Sequence, residues 1–309
     1  MTTTAWWRDF RYADGVVHVG KTGAEVPVEP GVIAATASWL RFHLAVEVER
    51  RRVAADGPRI WFAPDRPRPW YLIWPAVQLA GLRIAARPED ADLGFFFEDV
   101  TVSAPPAANG LPILNAGCPD VSKTRVAEVF EQVSGRALTV DPTAWTGAMV
   151  GKSEKNGAHD GRIAEGPRPA DGLVWQRFID TLAPDGCVED LRCPTVGGEI
   201  PVVYLKRRPA ARRFENSNSE VRLLEPRDVF TEAERGFVRD FANAMGLDWG
   251  GIDVLRDRRD GRLWIVDVNK TDMGPPTALP FKDKLASVRR IADRLRVFAE
   301  ARADARDRS

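Results

Sequence analysis

The stretch "GGIDVLRDRRDGRLWIVDVNK", residues 250–270, sets two apolar runs on either side of an Arg-Asp-Gly turn, and each run carries one aspartate, Asp253 and Asp267. Asn269 follows one alternation after the second. A three-residue loop over Arg259-Asp260-Gly261, a type I turn with Gly261 in the left-handed position, pairs Arg258 with Arg262. Counting back, Asp253 then lies opposite Asp267. Ile252, Val254, Trp264, Val266 and Val268 share one apolar face, and Asp253, Asp267 and Asn269 share the other. A two-residue Asp-Gly turn would slip the register by one and separate the carboxylates. Directly opposed carboxylates, with Cβ atoms about 4.5–5.5 Å apart, repel each other. A divalent cation relieves that repulsion, and carboxylate and amide oxygens are what Mg²⁺ accepts. The competing reading is a solvated hairpin face, and the hairpin alone leaves the two level.

The rest of the chain narrows the classes of function. Its 309 residues suffice for two or three packed units. Its 44 Lys+Arg balance 44 Asp+Glu, so no net field favours nucleic acid or an anionic membrane. Cys118, Cys187 and Cys193 form no Cys-x-x-Cys pair and indicate neither a disulfide framework nor a zinc site. His18, His43 and His159 are scattered and read as structural or solvent-exposed. The N-terminus "MTTTAWWRDFRYADG" lacks an apolar signal core, and "WYLIWPAVQLAGLRIAA" is short for a membrane span. A reducing cytoplasm is the expected location.

Periodicity predicts a helix over 30–52, a strand over 58–64, a helix ended by Gly81, and strands in "LRIAA", "DLGFFFED" and "LPILNAG". Strands alternating with helices indicate a parallel α/β unit, Rossmann-like in order but without a Gly-x-Gly-x-x-Gly. Trp61, Trp70, Tyr71 and Trp74 read as core packing rather than a pocket wall. "SKTRVAEVFEQVSG" (122–135) is a helix with Ser at its cap and Gly at its end, and "TEAERGFVRDFANAMG" (231–246) is a second. Between them lie strands in "AMVGK" (148–152), "GLVWQRFID" (172–180) and "GEIPVVYLKRR" (198–208), and a Gly-, Pro- and charge-rich connection over 153–171. The mixed-sign C-terminus, "VRRIADRLRVFAEARADARDRS", reads as a solvated helix fraying into a tail.

The order of these signals resembles the ATP-grasp superfamily: a strand ending in Lys152, a Gly-containing loop, "WQRFID", "VEDLR", "YLKRR", "FENSNSE" and "DVNKTDMGPP". Within it the chain is most similar to the branch of glutathione synthetases and the ligases that add glutamate to ribosomal protein tails. The resemblance covers about residues 110–280 and implies an α/β fold with a small Rossmann-like N-terminal domain over 1–110. A two-lobed ATP-grasp fold would follow, its small lobe at 111–185 and its large lobe at 186–309 with a C-terminal helix.

Carried over by position, the resemblance assigns Lys123 and Lys152 to the nucleotide phosphates. The loop 153–161, with Asn156 and Gly157 in its turn, would cover them. Gln176, Arg177, Phe178 and Ile179 would form the adenine hinge, where the backbone of Arg177 and Ile179 reads the purine and Phe178 packs. Asp190, with Glu189 as rival, would accept the ribose hydroxyls, followed by Arg192. Lys206 or Arg208 would face the transferred phosphoryl group, with Arg207 pointing away. Asn216 and Asn218 would serve the loop after that strand. Asp253, Asp267 and Asn269 would hold Mg²⁺, with Mn²⁺ as the alternative cation.

The implied activity is an ATP-dependent carboxylate–amine ligase acting through an acyl phosphate, with small-molecule or peptide carboxylate and amine substrates. Lys270, Thr271 and Asp272 would either face the acceptor or form a plain turn. Homodimers are common in the resembling families, and neither a nucleic-acid nor a membrane partner is implied. Asp267 stands where the family usually has Glu, and the loop is poorer in glycine. An ATP-grasp kinase and a non-catalytic nucleotide-binding protein therefore remain as alternatives.

Overall fold

The computed structural model describes residues 6–20, 23–107, 110–215 and 217–307. Asn216, one of the two asparagines expected after the basic strand, lies outside the described residues. The chain opens on a three-stranded antiparallel sheet, β1 (Phe10–Ala13), β2 (Val16–Val19) and β3 (Ala24–Pro27), which the sequence pattern did not reveal. Helix α1 (Pro30–Arg50) follows. Strand β4 (Arg59–Pro64), helix α2 (Ile73–Leu79), and strands β5 (Arg83–Ile84), β6 (Leu93–Phe97) and β7 (Ile113–Leu114) then build a parallel sheet in the order β5-β4-β6-β7. Strand β6, Leu-Gly-Phe-Phe-Phe, is buried throughout, as an interior parallel strand covered on both faces requires. The expected domain boundary at 110 falls before β7, which completes this sheet.

Helix α3 (Lys123–Ser134) begins where Ser122 accepts a hydrogen bond from the Arg125 N–H and ends at Gly135, φ +67°. A second antiparallel sheet combines β8 (Gly147–Lys152), β9 (Arg162–Gly166) and β10 (Val174–Arg177) in the order β10-β8-β9. Strand β9 lies inside the stretch expected to be loop. The loop proper is therefore shorter, and it is the connection of a hairpin.

The largest sheet orders β11 (Cys187–Val196), β12 (Val203–Pro209), β13 (Glu220–Leu224), β14 (Trp249–Arg256) and β15 (Leu263–Asn269) as β13-β12-β11-β14-β15, every pair antiparallel. Helices α4 (Pro226–Val229) and α5 (Glu232–Met245) connect β13 to β14. A capping box between Thr231 and Glu234 starts α5.

One apolar core gathers α3, α5 and a face of the large sheet, including Phe130, Phe241, Leu191, Cys193, Val203, Ile252 and Val254. A second joins the parallel sheet and α2 to Val196, Val202, Tyr204 and Trp249 of the large-sheet region. Helix α6 (Phe281–Asp307) belongs to that second core. Val288, Ile291, Ala292, Leu295 and Ala299 are wholly buried, so the segment read as a solvated face is a core helix whose charges occupy its other side. The three cysteines are free thiols, and among the described residues no helix is long and apolar enough to cross a membrane.

Candidate functional site

The two aspartates stand opposite each other across β14 and β15, but the turn does not put them there. The Asp257 N–H donates to the Arg262 carbonyl at 2.9 Å and the Gly261 N–H to the Asp257 carbonyl at 2.8 Å, so the loop is the four residues 258–261 rather than three. Next to it Arg256 pairs with Leu263 and Val254 with Ile265, one residue out of the expected register. The register shifts again between Asp253 and Val254, so that Asp253 pairs with Asp267 and Gly251 with Asn269. The extra residue is Val266, which is buried among the core residues and also lines the cleft beside Leu255. Trp264 pairs with Leu255 and stacks on Phe130 of α3, ring centroids 5.3 Å apart.

Both carboxylates line a cleft between the large sheet and the β8–β10 sheet. Lys206 of β12 donates to Asp253 Oδ1 at 3.0 Å, and Arg192 of β11 reaches Asp253 Oδ2 at 3.0 Å. Burial works to raise the Asp253 pKa, but the Arg192 and Lys206 charges outweigh it and hold the carboxyl well below its usual range. Lys123, the first residue of α3, donates to Asp267 Oδ1 at 2.6 Å. Asp267 Oδ2 is not engaged in that bond, and the side chain keeps 26% of its exposure. Lys152 ends β8 and donates to Gln176 Oε1 of β10 at 3.0 Å. Burial pushes the Lys152 ammonium down, partly offset by the nearby Asp267.

Asp190 of β11 and Arg208 of β12 pair within the cleft, and Arg208 also donates to Asn218 Oδ1 at 2.6 Å. Arg207 points to the opposite face, onto Asp185, Glu189 and Glu220, as alternation along β12 demands. Glu189, the rival to Asp190, is thereby drawn away from the cleft.

Of the expected site residues, Lys123, Lys152, Gly157, Gln176, Arg177, Ile179, Asp190, Lys206, Arg208, Asp253 and Asp267 line this one cleft. Four do not. Arg192 lies behind Asp253 and is clamped by Asp272 at 2.7 Å, which the absence of a side chain at Gly251 allows. Asn269 Oδ1 accepts the Thr271 N–H at 2.9 Å, beside the cleft rather than in it. Asn156 uses its backbone N–H to reach Thr101 Oγ1 at 2.9 Å. Phe178 turns outward beneath the guanidiniums of Arg213 and Arg259. The Arg177 N–H also donates to the Leu138 carbonyl at 2.9 Å, so that donor is spent before any purine arrives.

The three residues that follow β15 are engaged inside the protein. Lys270 donates to Ser103 Oγ at 3.0 Å, Thr271 Oγ1 reaches Asp99 at 2.7 Å, and Asp272 holds Arg192. Among the described residues no group of three or more His, Cys, Asp or Glu converges as a metal cage. Lys155, His159 and Asp160, in the loop expected to cover the phosphates, and Phe214 also line the cleft, though none was singled out as a site residue. Their position in or beside the loop and basic-strand stretches was the available signal.

No family model matches the chain, and no curated protein does. Among solved structures, the ATP-grasp ligase PsnB in complex with its minimal precursor superposes with a TM-score of 0.51 at 12% identity, over 78% of this chain and 98% of that one. The chain has the ATP-grasp fold. Two further ATP-grasp structures align less closely. A RimK-domain protein from Sphaerobacter thermophilus has a TM-score of 0.46 at 14% identity, over 78% of this chain and 99% of that one. D-alanine–D-alanine ligase from Bacillus anthracis, in complex with ATP, has a TM-score of 0.47 at 12% identity, over 81% and 99%. In this fold the cleft with the paired aspartates is lined from the β8–β10 sheet and the large sheet.

Proposed function

We propose that the chain is an ATP- and Mg²⁺-dependent carboxylate–amine ligase that works through an acyl phosphate. The observation that carries this reading is the Asp253–Asp267 rung facing a cleft with Lys123, Lys152, Lys206 and Arg208 on its walls, in an ATP-grasp fold. The donor set suits the cofactors: Mg²⁺ takes one or two carboxylates plus phosphate oxygens, and Asp267 Oδ2 is the oxygen that Lys123 leaves open.

Bound there, the metal would neutralise charge on the β- and γ-phosphates. Lys206 holds Asp253 Oδ1, an oxygen that such a cation would take, so on binding its ammonium would transfer to the phosphates, while Lys123 would keep Asp267 Oδ1 and lie beside them. Arg192 would stay, since Asp272 clamps it independently and it keeps Asp253 ionised. Lys152 and Arg208 would stabilise the phosphoryl group as it moves to the substrate carboxylate. Gln176, Ile179 and Val150 form the less charged end, suited to a base, with Asp190 toward the ribose. The amine would then displace phosphate from the acyl group to form the amide.

Calorimetric titration of ATP with and without Mg²⁺ tests the reading. Tight binding that needs Mg²⁺ and weakens at least tenfold in Asp267→Asn is expected, followed by ADP release with a carboxylate and an amine together. Folded protein that ignores ATP in both conditions would sink it.

A further inference from the structure

The loop between β8 and β9 is tied down at several points. Glu154 accepts from Thr124 at the start of α3, Asn156 is held by Thr101, and the Ser153 N–H donates to Asp160 Oδ1 at 3.3 Å. Gly161 lies against Phe214 so closely that a Cβ there would come within 2.5 Å of the ring. Amid these anchors His159 lines the cleft with a left-handed backbone, φ +52°. That conformation is uncommon for a residue with a side chain, histidine adopting it more often than most, and glycine takes it freely.

That imidazole makes no hydrogen bond or ion pair with any described residue. The charges acting on it are Asp267, Lys206, Asp253 and Arg208, which belong to the carboxylate end of the cleft and not to its Gln176–Ile179 end. An exposed donor that lines the cleft with those charges is free to meet a ligand bound there. Either tautomer of a neutral imidazole presents one N–H, so no change of protonation is needed.

We infer that His159 donates a hydrogen bond to the terminal phosphoryl group of a bound nucleoside triphosphate, so that the loop distinguishes triphosphate from diphosphate. The inference rests on the nucleotide site proposed above. Lys152 and Lys206 emerge from strands and would meet the phosphates with the loop open or shut. His159 would meet them only with the loop down, and the anchors at Thr101, Thr124 and Phe214 hold it there. Losing the last phosphate would remove the contact and favour release of ADP.

The test compares affinities of the β,γ-imido analogue of ATP and of ADP, each with Mg²⁺, for wild type, His159→Gly and His159→Gln. Glycine takes that backbone conformation freely, so the variant should fold, and an unchanged melting temperature or a rise would verify that. We expect His159→Gly to bind ADP as wild type does and to lose about tenfold in affinity for the triphosphate analogue. His159→Gln, which keeps an N–H donor, should recover part of the preference. An unchanged ratio of the two affinities in His159→Gly, or an equal loss for both nucleotides, would overturn the role of His159 while leaving the nucleotide site standing. Wild type that binds neither ligand would overturn both.

Discussion

The two sheets that line the cleft manage charge in opposite ways. On the large sheet nearly every charged group is already paired: Asp253 with Arg192 and Lys206, Asp190 with Arg208, Asp272 with Arg192. On the β8–β10 side Lys152 has only the neutral Gln176, and the imidazole of His159 has no partner among the described residues. A buried ion-pair lattice is rigid because removing any member strands a charge, whereas unpartnered donors are free to take a ligand. Under the proposed function the difference is a division of labour, in which a pre-ordered floor would hold the metal and a roof would complete itself on the phosphates.

The comparison breaks most readily at Arg192. Arg192→Met strands the buried Asp272 carboxylate and leaves Asp253 with Lys206 alone, and we expect a loss of about 3–5 kcal/mol in denaturant unfolding. A loss below about 1 kcal/mol would mean that the floor is not a lattice. Packing on the roof is tested at Gly151, where a Cβ would come within 2.8–2.9 Å of the buried Trp175 ring. Gly151→Ala should cost about 1–3 kcal/mol through overpacking, less than the floor substitution. Lys152→Met should leave stability at neutral pH unchanged or slightly raised, because a partly buried ammonium is removed, yet weaken ATP binding about tenfold by calorimetry. Unaltered ATP affinity in that variant would remove Lys152 from the phosphate site.

The smallest effects lie in the pH dependence, and they separate floor from roof. Asp253, held low in the fold, contributes stability that is present above its ordinary 3.8 and lost as pH falls through its folded value. Lys152 is depressed, so the folded state binds its proton less readily, and the stability it costs diminishes as pH rises toward its ordinary 10.5. Urea midpoints of wild type and Lys152→Met should therefore converge on the alkaline side and run parallel on the acid side. Convergence at acid pH would reverse the assignment.

Much of this was legible in the chain because it was local. Ser122 and Gly135 bracket α3, the capping box starts α5, and the 2-residue alternation of β12 sends Lys206 and Arg208 one way and Arg207 the other. What was not legible depended on partners far away in sequence. The turn at 258–261 and the bulge at Val266 are each one residue off the simple hairpin, and their errors cancel at the rung that matters. Strand β11 mixes charges with apolar residues because one face binds the cleft and the other the core, so it read as a motif and not as a strand. Asn269 was expected in the site from strand alternation and the resemblance, Arg192 from the resemblance, and 270–272 either facing the acceptor or as a plain turn. Their side chains are instead consumed by Thr271, Asp272, Ser103 and Asp99. The charge density of α6 hid an apolar stripe that only its packing on α2 and the parallel sheet reveals.

That placement of α6 bears on how the protein is made. Phe42, Val46, Ile60, Val77 and Leu93, from the first third of the chain, share one core with Val288, Ile291, Leu295 and Ala299. A nascent chain emerging from the ribosome therefore cannot complete the burial of this core until residues 281–307 have been synthesised. Through most of translation its uncovered surface needs shelter, so expression yield should depend on chaperone supply more steeply than the stability of the finished protein suggests.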